Sequence, residues 1–111
     1  MRTRIYWRLE KMASVLVEIL EDFVHMIVEQ LVVVQEEIEV KIEEDEEAVK
    51  IFLHVSPGDI GKVIGKKGVI AQSIRVLTRA IAFKNEDRRS VFFDVVDNDN
   101  DAPLWNKGLR S

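Results

Sequence analysis

At 111 residues, 47% hydrophobic and 32% charged, the chain has enough apolar material for one compact domain. The absence of cysteine excludes disulfides and thiolate metal sites, and no apolar run approaches the roughly 18 residues that cross a bilayer. The net charge of −4 is unevenly spread: residues 18–48 carry twelve acids against one lysine, while residues 57–90 carry eight basic side chains against three acidic ones. A bound anion feels charges within a Debye length of about 8–10 Å, so this total does not exclude a phosphate-rich partner for the positive block.

Residues 1–12 place Arg2, Arg4 and Arg8 beside Tyr6 and Trp7 without a clear period. They are expected to form a terminal extension, with a basic aromatic arm as the alternative. The stretch is only superficially like a secretion signal, because Glu18, Glu21 and Asp22 interrupt the apolar part and no small-residue cleavage site follows. A cytoplasmic location is therefore expected.

From about Ala13 to Val32 the period is helical. Glu18, Glu21, Asp22, His25 and Glu29 share a narrow solvated face. Val15, Leu16, Ile19, Leu20, Phe23, Met26, Ile27 and Leu31 fill the other side, and Val17, Val24 and Val28 widen it. That stripe is about twice the roughly 100° needed to cover one sheet. Either the helix is deeply embedded or its valine flank meets another subunit, and the second is the expectation.

Glu37 to Glu43 alternates strictly, as does Val49 to Val55, so two antiparallel strands are expected around the acidic turn Glu44-Asp45-Glu46-Glu47. Lys41 and Lys50 offset the glutamates on the exposed sheet face, which also carries His54, a surface residue or a base contact. With no second histidine or cysteine near His54, a metal site is not expected.

Ser56-Pro57-Gly58-Asp59 reads as a capped helix start, with serine as N-cap, proline first and aspartate three residues after the cap. The short helix stops at Gly65. After Lys66-Lys67, Gly68 opens a longer helix with an apolar seam at Ile70, Ile74, Leu77 and Ile81, and with Gln72, Arg75 and Arg79 opposite. Ser90 to Val96 is a third strand, far enough from the second for a parallel crossover. Asn/Asp alternation and Pro103 end the fold after Asp97, leaving Trp105 in a tail expected to be disordered. The expected fold class is α+β, in the order α-β-β-α-α-β, with a three-stranded mixed sheet covered by helices on one face. The expected boundaries are an extension at 1–12, a domain at 13–97 and a tail at 98–111.

The central stretch is Val63-Ile64-Gly65-Lys66-Lys67-Gly68-Val69-Ile70. Two glycines let the backbone approach a ligand, the following helix N-terminus favours an anion, and two lysines supply charge. Together they suit a clamp on the phosphates of single-stranded nucleic acid. The same residues do not suit a nucleotide P-loop. Only three residues separate Gly61 from Gly65-Lys66, no Ser/Thr follows for magnesium, and a helix instead of a strand leads in. No nucleophile, base and acid converge, so no enzyme is expected.

Gly61 to Ala71 resembles the I-G-x-x-G-x-I signature of K-homology (KH) domains, and the element order is similar to the type II KH arrangement. Leu53 to Gly68, behind a short helix and an acidic hairpin, is similar to small single-KH bacterial RNA-binding proteins of the KhpA type. The resemblance covers roughly Val17 to Asp97. It implies single-stranded RNA, about four nucleotides of it, in a groove beside the loop. It also implies a homodimer or a complex with a second KH-containing RNA-binding protein of the KhpB type, and an RNA-chaperone role in cell shape and division. By position, Gly65, Lys66, Lys67 and Gly68 would clamp the backbone. Ile64 and Ile70 would floor the groove with Val55 at the strand side, and Lys62 and Arg75 would add contacts. One departure is that Leu31-Val32-Val33-Val34 stands where the family has a proline- or aspartate-containing turn. The rival expectations are a protein-interaction module using the valine stripe, with weak or no RNA affinity, and a single-stranded DNA binder. No cofactor, small-molecule substrate or membrane is implied.

Overall fold

The computed structural model describes the backbone of residues 7–97 and 102–103 and the side chains of residues 15–96. Helix α1 (Trp7–Glu29) leads through a short turn to strands β1 (Glu39–Glu44) and β2 (Ala48–His54). Helices α2 (Ile60–Ile64) and α3 (Val69–Lys84) then precede β3 (Ser90–Asp97), and Ala102–Pro103 forms a two-residue β4. β1 pairs antiparallel with β2, and β2 pairs in parallel with β3 across the α2–α3 crossover. This is the expected α+β order and mixed sheet of type II KH form. The chain does not end its pairing at Asp97, however: Val96 and Asp97 sit opposite Pro103 and Ala102 in an antiparallel bridge. Trp105 and the Arg2–Tyr6 segment lie outside the described residues, and α1 begins at Trp7, inside the stretch expected as an extension.

Strand alternation sets the core. Val49, Ile51, Leu53, Val91, Phe93 and Val95 are buried on the inner sheet face, under Leu16, Leu20, Val24 and Val28 of α1 and Ile74 of α3. Each fully buried aliphatic side chain contributes about 1.5–3 kcal/mol. The expectation for the valine flank is overturned here. Val24 and Val28 are 0% exposed, because an every-fourth-residue row from Leu16 to Val32 faces the sheet. Val15, Ile19 and Met26 are left outside on the adjacent side of α1. In α3 the buried row is Ile74, Thr78 and Ala82, with Leu77 exposed. The helix is thus turned by one residue from the expected seam. Thr78 is tolerated in the core because its hydroxyl donates to the Arg75 carbonyl at 2.9 Å.

Polar side chains make the connections that local rules leave open. The β1–β2 turn lacks Asn-Gly, yet Asp45 Oδ1 accepts from the amides of Glu47 (2.7 Å) and Ala48 (2.9 Å), which closes an Asx-type turn. Ser56 makes no side-chain cap, contrary to expectation, and Pro57–Asp59 is a single 3₁₀ turn before α2. Asp59 is instead buried, with Oδ2 accepting from the amides of Val33 (3.1 Å) and Val34 (3.0 Å). The segment without the family's usual turn is therefore pinned from 25 residues away. Arg89, just before β3, reaches the end of β1 at the same end of the sheet, donating to Asp87, to Glu44 Oε1 at 2.9 Å and to the Asp45 carbonyl at 3.0 Å.

Candidate nucleic-acid interface

The candidate site is the turn between α2 and α3. α2 stops because Gly65 adopts φ 78°, ψ 172°, a conformation open essentially to glycine alone. A Cβ on Gly65 would also lie 2.6 Å from Ile70 Cγ1, so the loop folds onto the first turn of α3. Gly68 N–H donates back to the Gly65 carbonyl at 3.0 Å and closes the turn. Lys67 (φ 56°, ψ 24°) and Gly68 (φ 76°, ψ 12°) are consecutive left-handed residues. For lysine that conformation costs about 1 kcal/mol, a strain of the kind that gathers at ligand-binding turns.

Gly68 is the N-cap of α3 and offers no side-chain acceptor to the first helical turn, whose leading amide, Val69 N–H, donates back to the Lys66 carbonyl within the loop. A 16-residue helix adds its positive end to the same place. Lys66 and Lys67 are exposed and have no carboxylate partner among the described residues. Lys62, one helical turn before the loop, lies 3.7 Å from Asp59 Oδ1. It contributes, after the Val34 and Val33 amides, to holding the Asp59 carboxyl below its ordinary pKa against the opposing effect of burial. Asp59 therefore stays ionised and takes up part of the Lys62 charge.

Gly65, Lys66, Lys67 and Gly68 thus come together with the half-buried Ile64 and Ile70 on one surface, with Lys62 at its edge. Val55 is 1% exposed, packed in the core beneath this surface. Arg75 lies elsewhere, at the open edge of β3. Its Nη2 donates to the Phe93 carbonyl at 2.8 Å and stands 3.8 Å from Asp94 Oδ1, and Arg79 Nε donates to the Val91 carbonyl at 3.1 Å. The two guanidinium groups occupy carbonyls that an edge strand otherwise presents to another chain. Burial pushes the Asp94 carboxyl up to about 6, with Arg75 opposing the shift.

Sequence reasoning missed two exposed apolar neighbours of this surface. Val69, directly after the second glycine, and Val76, two turns on, are both on the outer side of α3. The signal available was their seven-residue spacing, off the buried seam. Among the described residues no three acidic or histidine side chains are grouped to hold a metal, and no helix is long and apolar enough to cross a membrane.

Comparison with known proteins places the chain in a family. The family described as KhpA/KhpB, KH domain, matches residues 21–93, which spans both glycines, both lysines, β1, β2 and the first half of β3. The RNA-binding protein KhpA of Clostridium perfringens is 39% identical over 69 residues, 62% of this chain and 92% of that protein. The protein of the same name from Oceanobacillus iheyensis is 40% identical over 73 residues, 66% of this chain and 95% of its own length. That from Listeria monocytogenes is 38% identical over 69 residues, covering 62% and 91% respectively. No solved structure gives a significant match. On the strength of the matched span and the two-glycine turn at its centre, the chain belongs to the KhpA/KhpB KH-domain family.

Proposed function

We propose that this protein binds single-stranded RNA, gripping its sugar-phosphate backbone with Gly65, Lys66, Lys67 and Gly68 and resting bases on Ile64 and Ile70. The observation that carries this is the strained turn, which presents two exposed lysines without carboxylate partners at the positive N-terminal end of α3. Lys62 adds long-range attraction. Val55 supports the floor from below, and Arg75, engaged with Phe93 and Asp94 at the β3 edge, is left out of the grip. The relatives above are named RNA-binding proteins, which supports the RNA ligand; binding without turnover, in the cytoplasm and as an RNA chaperone, completes the proposal. One KH unit holds about four nucleotides, so association with a second copy, or with a second KH-containing RNA-binding protein, would raise affinity through effective concentration.

The test is fluorescence polarisation with a single-stranded RNA across a salt series. Replacing both lysines (Lys66→Asp with Lys67→Asp) should weaken binding by roughly tenfold or more and lower the log–log salt slope by about 1.4, two single-strand phosphate contacts. Circular dichroism should stay native, because both side chains are exposed. Unchanged RNA affinity in this variant would remove the clamp. Competition by single-stranded DNA of the same sequence separates RNA from DNA preference.

A further inference from the structure

The positive block divides once its contacts are assigned. Arg75 and Arg79 are bonded to β3 carbonyls, Arg89 to Asp87 and Glu44, and Lys62 faces Asp59. Four cations of this block have neither a carboxylate nor a backbone-carbonyl partner among the described residues: Lys66 and Lys67 at the N-terminal end of α3, Lys84 at its last residue and Arg88 just beyond. The second pair has no part in the two-glycine turn, which lies about 24 Å away along the helix at 1.5 Å per residue.

At that far end is an open basin of about 470 Å³ whose walls include Arg79, Phe83, Arg88 and Phe92. Phe83 is 82% exposed and Phe92 46% exposed. A single exposed aromatic side chain needs no explanation. Two on the walls of one concavity, Phe83 from α3 and Phe92 from the outer face of β3, beside an unpaired arginine, make a different surface, in which aromatic area and positive charge are put together. The one acid in the wall, Asp87, is already neutralised by Arg89, whose Nη2 lies 2.7 Å from its Oδ2. The basin is thus aromatic and net positive, which suits stacked bases joined by phosphates.

A continuous lane joins the two ends. Val69, Gln72, Val76, Arg79 and Phe83 are spaced 3, 4, 3 and 4 along α3 and are all exposed, so they form one stripe from the loop to the basin. We propose that the Phe83–Phe92–Arg88 basin is a second subsite for the same single-stranded RNA, taking unpaired bases that lie beyond the nucleotides held at Gly65–Gly68. This rests on the clamp proposed above and extends it. Stacking on phenylalanine is tolerant of sequence, so the subsite adds affinity for length more than for any one base.

The experiment uses the full chain and pools of random-sequence RNA of about five and about ten nucleotides. Phe83→Ser with Arg88→Glu changes two exposed side chains and leaves the circular dichroism spectrum native. It should keep the affinity for the short pool and lose about fivefold or more for the long pool, the equivalent of one base stack. Phe92→Ala, on another wall of the basin, should reproduce the loss for the long pool. Long-pool affinity unchanged in both variants overturns the subsite while leaving the clamp intact, and so does an equal loss at both lengths. A fall in solution mass with RNA affinity retained would assign the basin to a protein partner and also overturn it. If the wild-type chain binds neither pool, the clamp fails and the subsite falls with it.

Discussion

Gly65 and Gly68 share a positive φ but not the reason for it. At Gly65 both backbone and space exclude a side chain, since a Cβ would lie within 2.9 Å of three Ile70 atoms. At Gly68 nothing lies within 4 Å of the added carbon, and only the left-handed backbone objects. Gly65→Ala should therefore cost about 2–3 kcal/mol and Gly68→Ala about 1 kcal/mol. At roughly 4–8 °C per kcal/mol for a domain of this size, thermal melts of the two variants separate clearly. Equal melting temperatures would show that the Gly65–Ile70 contact does not hold the loop down. Lys67 extends the same logic, because a lysine held left-handed between these glycines directs its charge at a fixed backbone cost.

Two aspartates tie elements together and give stability opposite responses to pH. Asp59, on the turn before α2, is held below 3.8, first by the Val34 amide, and so anchors the end of α1. Its contribution is complete above 3.8 and is lost as pH falls through its folded pKa. Asp94, on β3, has the reverse sign. Burial raises it from 3.8 to about 6, so the folded state holds the proton more tightly and stability declines as pH rises between those values. Asp94→Asn should therefore gain on the order of 1–2 kcal/mol at pH 7, allowing for partial solvent screening, and little at pH 4. The difference between wild type and Asp59→Asn should persist at neutral pH and shrink below pH 3.8. Urea unfolding across this range checks both, and parallel pH profiles for wild type and Asp94→Asn would contradict the assignment. Alternation made β1, β2 and β3 legible in the sequence, and the spacing of Gly65 and Gly68 made the loop legible. The partner of Asp59 was not legible, because a capping rule sees three residues ahead and the amides it meets are 25 and 26 residues back. Nor was the buried row of α1: a stripe twice as wide as one sheet requires contains several acceptable faces, and only packing against β1 and α3 selects one.

The whole molecule separates its surfaces by charge and polarity. The basic loop and the α3 lane lie on one part, the acidic face of α1 on another, and α1 adds an apolar strip of Val15 (51% exposed), Ile19 (37%) and Met26 (54%) beside half-buried Phe23. Spacings of 4, 4 and 3 put these four side chains on one side of the helix, next to but distinct from the Leu16–Leu20–Val24–Val28 row. If the protein self-associates through α1, this strip is the surface available, since the valines are already committed to the core. Two substitutions then have different outcomes. Val24→Glu places a carboxylate where the exposure is zero, with no partner built for it, and should cost on the order of 3–5 kcal/mol, enough to threaten folding itself. Ile19→Glu with Met26→Glu alters exposed positions and should leave the circular dichroism native while lowering the mass seen by light scattering. RNA affinity should fall with it, because two modules acting together hold a strand more tightly than one. A wild-type chain that is monomeric at high concentration would end the self-association proposal. A double variant that keeps the wild-type oligomeric mass would move the contact off this strip of α1.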